Sequence, residues 1–168
     1  MTKKLLLLTL AISFAAHAGA EDRRRAVITE GVAPAPQQAG FSAEPENAEF
    51  IAHSPFRLPL FPNGGTSVDE NKALAEALQA YSAAGAPYDL ADIIAFLDDY
   101  PESAWSGSLY LNVGFIQRYN GFLQSSFESF EAAWDTLKNA EEPSLQDQAN
   151  RAIAELIAIK AGLGRQNE

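Results

Sequence analysis

The chain has 168 residues, a formal charge of −10 at pH 7 and no cysteine. That length suits one domain with unstructured ends, and a hydrophobic content of 47% is enough for a real core. The acidic balance argues against nucleic acid as a partner, because its phosphates would be repelled, and the lack of thiols excludes disulfides, zinc–thiolate sites and thiol nucleophiles.

Met1–Ala20 reads as a signal peptide. Lys3 and Lys4 open it, Leu5–Ala16 is apolar, and Ala16-His17-Ala18 and Ala18-Gly19-Ala20 supply small-x-small cleavage patterns. The apolar run is short for a membrane span, so cleavage is expected, with retention as an N-terminal anchor the alternative. The expected location is the periplasm or the exterior of a bacterial cell, with no membrane span after cleavage. Removing this segment takes away two of the 12 basic side chains and none of the 22 acidic ones, leaving a still more acidic chain.

Residues 21–65 read as a flexible linker holding six of the nine prolines, with no sustained helical or strand period. Proline cannot join interior hydrogen-bond ladders, so regular structure is not expected there. The end of the linker differs: Pro55-Phe56-Arg57-Leu58-Pro59-Leu60-Phe61-Pro62 is apolar enough to dock, with the helical domain that follows as its expected support and a free extended ligand for a partner as the alternative. Asn63-Gly64-Gly65 is a turn signal.

From residue 66 onward the pattern is helical. Ser67-Val68-Asp69-Glu70 is a capping box, and Leu74, Ala77, Leu78 and Tyr81 form a stripe ending near Gly85. A second helix is predicted from Asp89, whose carboxylate can cap the amides of Ala91 and Asp92, and it ends at Tyr100-Pro101. Two more make a hairpin within Asp98–Trp134. Leu109, Val113 and Ile116 mark one face, Phe127, Phe130, Ala133 and Trp134 the other, with a turn at Asn120–Gly121. After a loop around Asn139–Ser144, a last helix is predicted over Leu145–Ala161, with Gly162 and Gly164 as terminators.

Gly85 and Gly121 lie 36 residues apart, and Gly121 and Gly164 lie 43 apart. A helix–turn–helix unit of about 34 residues is the tetratricopeptide period. Tyr110-x-x-Val113-Gly114, Asn120-Gly121-Phe122-Leu123, then Phe130 and Ala133, resemble that repeat's aromatic-x-x-Leu-Gly, turn glycine with following aromatic, and later aromatic-x-x-Ala. Ser126, Gln117, Leu78, Pro87 and Ile157 depart from the pattern. The resemblance spans Glu70–Gly164, with units near 69–104, 105–140 and 145–168, the last incomplete. It implies an all-α, short right-handed tetratricopeptide-like array of about five helices. The Tyr100-Pro101-Glu102-Ser103-Ala104-Trp105-Ser106 junction and the Asn112-Val113-Gly114 helix also resemble the helical-repeat segment near the N-terminus of large exported bacterial proteins.

No catalytic constellation is legible. His53 is the one histidine after residue 20, and nothing near it supplies a nucleophile elbow. Carboxylate pairs such as Glu128 and Glu131 read as a solvated helix face, and Asp98-Asp99 as surface charge. No cofactor or metal is expected, and the chain is read as not an enzyme. Trp105, Phe115, Tyr119, Phe122 and Trp134 are expected mostly in the core. In the repeat family the inner face of a unit's first helix often receives an extended peptide. The resemblance therefore makes Ser108, Asn112, Phe115, Arg118 and Tyr119 peptide-binding candidates. Asn112 can hold a peptide backbone by paired hydrogen bonds, and Arg118 can meet a carboxylate. The expected function is non-catalytic protein–protein binding or scaffolding, with another protein or peptide, basic in charge, as partner. The alternative is an accessory domain cut from the N-terminal part of a larger secreted enzyme or YD-repeat protein. An open apolar end at Ile153, Leu156 and Ile157 predicts either a homodimer through that end or a missing C-terminus.

Overall fold

The computed structural model describes residues 40–164. The signal-peptide reading of Met1–Ala20 lies outside the described residues. Those described form six helices and no strand: α1 (Asn47–His53), α2 (Val68–Ala84), α3 (Ala91–Asp99), α4 (Ser106–Tyr119), α5 (Leu123–Leu137) and α6 (Pro143–Gly164). Among them, no helix is long and apolar enough to cross a membrane.

Local chemistry sets most of the boundaries. Ser67 Oγ accepts the Glu70 amide at 3.1 Å, and Glu70 Oε2 accepts the Ser67 amide at 3.3 Å, completing the capping box of α2. Gly85 ends α2 at φ +65° and Gly121 turns the chain between α4 and α5 at φ +83°, a left-handed backbone that side chains disfavour. Asp89 Oδ1 accepts the Ala91 amide at 3.3 Å at the start of α3.

Packing runs in chain order. α2 lies against α3, α4 against α5, and α5 against α6, which also touches α4. α4 is the central element. Its residues Ser106–Leu109 and Leu111–Gly114 are all buried, whereas a single apolar stripe would bury only one side. Leu109 and Val113 join the cluster around Trp105, while Leu111 joins Phe130 and Leu156 on the other side. Small residues make this double contact feasible. A Cβ on Gly114 would stand 2.7 Å from the Phe130 ring, and one on Gly107 only 2.5 Å from Leu137 Cδ2. We expect Gly114→Ala to lower stability by about 1–3 kcal/mol, since α5 must shift or Phe130 leave its rotamer. Urea unfolding measures it, and an unchanged midpoint would mean the α4–α5 contact tolerates separation.

The linker reading needs correction between residues 40 and 65. Instead of irregular chain throughout, α1 forms in the proline-free interval between Pro45 and Pro55. Its anchor is Phe50, fully buried between Phe41 at 4.9 Å and Trp105 at 4.7 Å between ring centroids. Seven residues would not stay helical alone, so tertiary packing supplies what propensity lacks. Glu49 ties down the entry, accepting from the Ser42 amide and hydroxyl, both at 2.8 Å, and from the Glu46 amide at 3.0 Å. The Glu46 amide, then the two Ser42 groups, with a smaller pull from His53, hold this carboxyl below its ordinary pKa. A depressed folded-state pKa contributes stability above the unfolded value, and that contribution is lost as pH falls through the depressed value. We therefore expect the amide resonances of Ser42 and Glu46 to shift on acidification below the ordinary carboxylate range, while those of α5 hold. NMR titration checks this.

The final helix is also longer than predicted, running from Pro143 through both glycines to Gly164. Pro143 suits the first turn of a helix, where its missing N–H has no partner to lose.

Candidate functional site

The extended strap Arg57–Asn63 lies across α4 and α6. Its prolines, Pro59 and Pro62, have no amide to offer and keep it out of any strand pairing. Backbone groups of Leu58, Pro59 and Phe61 are read by side chains. The Leu58 amide donates to Asn112 Oδ1 at 3.2 Å, and Asn112 Nδ2 donates back to the Leu58 carbonyl at 3.3 Å. Asn112 Nδ2 also reaches the Ser108 carbonyl, 3.0 Å away on its own helix, which orients the amide. The Phe61 amide donates to Ser108 Oγ at 3.0 Å. That hydroxyl lies 2.8 Å from the Phe61 carbonyl and 2.6 Å from Gln148 Oε1, and its single proton serves one of them at a time. Gln148 Nε2 donates to the Pro59 carbonyl at 2.8 Å. The strap ends where the Asn63 amide meets the Ala104 carbonyl at 2.7 Å and Asn63 Nδ2 the Thr136 carbonyl at 3.0 Å.

Three strap side chains each enter a different apolar cluster. Leu60 is fully buried in the one built on Trp105, Leu74 and Ile93. Leu58 packs on Leu111, Phe130 and Leu156, and Phe61 on Leu137, Leu145 and Ala149. The strap thus seams the two ends of the helical body.

Upstream of it, a buried polar node holds α1 to α2 and α4. Trp105 Nε1 donates to Asn71 Oδ1 at 3.0 Å, and Asn71 Nδ2 donates to the Pro45 carbonyl at 3.0 Å and Asn47 Oδ1 at 3.1 Å. Beside it, Glu70 Oε1 accepts from Ser103 Oγ at 2.6 Å and from the Ala104 amide at 3.1 Å.

The five sequence-predicted residues fall into three groups. Ser108 and Asn112 hold a peptide backbone, and it belongs to this chain. Phe115 is half-buried edge-on against Phe130 at 5.2 Å, and Arg118 pairs with Glu155 of α6. Tyr119 is 55% exposed and, with Phe122 and Leu123, forms an apolar patch at the α4–α5 turn. The expected core positions of Tyr119 and Phe122 are thereby corrected: they flank the turn at Gly121, at the ends of α4 and α5, where both rings are exposed. Gln148 escaped sequence reading. A glutamine beside Leu145, Ala149 and Ala152 on an otherwise apolar face was the available signal.

Truncating the amide that clamps Leu58 tests the clamp. Asn112→Ala leaves the Leu58 amide and carbonyl unpaired, which should cost about 1–3 kcal/mol. Hydrogen exchange at Leu58 and Phe61 should quicken before that of α5. Equal protection in both proteins would mean the apolar contacts alone hold the strap.

Two other arrangements have little chemistry to offer. An open cleft of about 290 Å³ between α2 and α3 is lined by Ala73, Ala77, Ala80 and Ala95, with Glu76, Asp92 and Asp99 at its walls. His53 is exposed at the end of α1, its ring edge-on to Phe41 at 6.4 Å. Among the described residues, no group of three or more His, Asp or Glu could hold a metal ion. The chain matches no protein-family model, and no curated protein or solved structure shows significant similarity to it.

Proposed function

We propose that this protein is an exported, non-catalytic, tetratricopeptide-like helical scaffold that binds another protein. The observation carrying this reading is the use of Asn112, Ser108 and Gln148 to grip the backbone of an extended segment. Groups that read backbone rather than transform it are the apparatus of peptide recognition. With that groove filled from within, the exposed side chains of Tyr119, Phe122 and Leu123 at the α4–α5 turn are, among the described residues, a surface open to an outside partner. Exposed aromatics of this kind are favoured at interfaces, where a rigid ring buries much area at low entropic loss. The formal charge of −10 adds a preference for a partner of basic character.

Photocrosslinking tests this reading. With p-benzoylphenylalanine at Phe122 in the producing cell, one discrete adduct with a different protein is expected, and Tyr119→Ser with Leu123→Ser should abolish it. No adduct, or an adduct indifferent to those substitutions, would sink the binding role of this patch.

A further inference from the structure

The arm Gly40–Pro62 packs on the helices within one compact unit. Its backbone at Leu58, Pro59 and Phe61 is held by side chains of α4 and α6, Asn63 adds bonds to the Ala104 and Thr136 carbonyls, and its apolar anchors Phe50, Leu58, Leu60 and Phe61 all insert into the helical body. One short, exposed connection joins it to α2. In that connection Gly64 stands at φ +127°, and a Cβ on either Gly64 or Gly65 would meet nothing within 4 Å.

We propose that two copies of this chain exchange these arms, each copy's Leu58–Phe61 strap filling the α4–α6 groove of the other. The proposal is independent of the outside partner above.

The groove defines its ligand: an extended apolar segment with prolines where no amide is needed, two leucines and a phenylalanine at fixed positions. A free peptide of that kind is a poor competitor. It faces a tethered arm at an effective concentration of about millimolar, so at micromolar levels it is disfavoured by about a thousandfold. A second copy has no such handicap, because reciprocal exchange closes on a two-fold axis and both straps are tethered within the pair. Each contact of Asn112, Ser108, Gln148, Trp105 and Asn71 with the arm is remade in kind. The path of residues 63–67 changes to an open connection, and with it the bonds of Asn63 to Ala104 and Thr136 and of Thr66 to Asn47. An arm without a groove would leave Phe50 and Leu60 bare, so it passes to another copy or returns to its own.

Gly64 sets the balance between the two forms. Proline cannot adopt φ +127° but suits an open connection, so Gly64→Pro strains only the closed form. To read the exchange, one copy carries p-benzoylphenylalanine at Pro59, whose carbonyl lies 2.8 Å from Gln148 Nε2. The other copy carries a size tag, and the two are refolded together from urea at about millimolar concentration, the level set by the tether. The expected result is an adduct between copies mapping to α4 or α6 of the tagged chain. Gly64→Pro should raise the dimer fraction in sedimentation by about tenfold at equal concentration. Adducts confined to single chains, with Gly64→Pro a folded monomer, would overturn the proposal. If Gly64→Pro does not fold, the unsubstituted pair decides by the same criterion. A free peptide of residues 55–63 that suppresses the inter-copy adduct at micromolar levels would also overturn it, making the occupant an outside segment.

Discussion

Trp105→Ala should destabilise the protein by about 3–5 kcal/mol, lowering the urea midpoint. Trp105 is the largest fully buried side chain, and Phe50, Leu74, Ile93 and Leu109 share its cluster. Removing it opens a cavity that α2 and α4 cannot close, because Leu109 and Leu111 already commit α4 to two cores. It also strips Asn71 Oδ1 of its donor at 3.0 Å, and Asn71 is what holds the Pro45 carbonyl and Asn47. Trp105→Phe separates the two effects. It keeps most of the volume and loses the indole N–H, so its cost should fall to about 1–3 kcal/mol. Equal losses in both variants would mean that the polar node, and not packing volume, dominates here.

Leu60→Ala should cost about 2–5 kcal/mol, with the loss falling first on the arm. Leu60 is fully buried but sits in a segment of half-exposed neighbours, so no helix forms around it to compensate. Trypsin reports the difference. Arg57 is exposed, yet the bond that follows it is held by the Asn112 clamp on Leu58. In the variant, cleavage after Arg57 should outpace loss of helical circular dichroism, because the arm opens locally while α4–α6 persist. Cleavage and helix loss proceeding together would show instead that the strap and the body unfold as one unit, and arm exchange would then require global unfolding.

Both outcomes turn on the same division within the molecule. Features decided by neighbours in sequence were legible from residue types. Ser67 and Glu70 stand at capping-box spacing, and the reciprocal bonds form. Gly85 and Gly121 stand where turns demand positive φ, and both adopt it. Gly114 stands at the glycine of the repeat's aromatic-x-x-Leu-Gly pattern, and the Phe130 ring occupies the space a Cβ would need. The apolar run Pro55–Pro62 announced docking, since eight residues with so little polarity gain by leaving water, and the helices receive it.

The amino-acid sequence by itself therefore determined an all-helical body, its main turns, and a groove helix bearing Ser108 and Asn112. Tertiary structure alone decided what fills that groove. Asn112 and Leu58 are 54 residues apart, and Gln148 and Pro59 are 89 apart. Helical period, capping and turn chemistry act over a few residues, so they identify an amide able to hold a backbone without specifying whose. The same holds for α1, which exists because Phe50 finds Trp105, and for Arg118, whose carboxylate partner is Glu155 of its own chain. Local rules placed the donors and acceptors; packing of distant segments chose their partners.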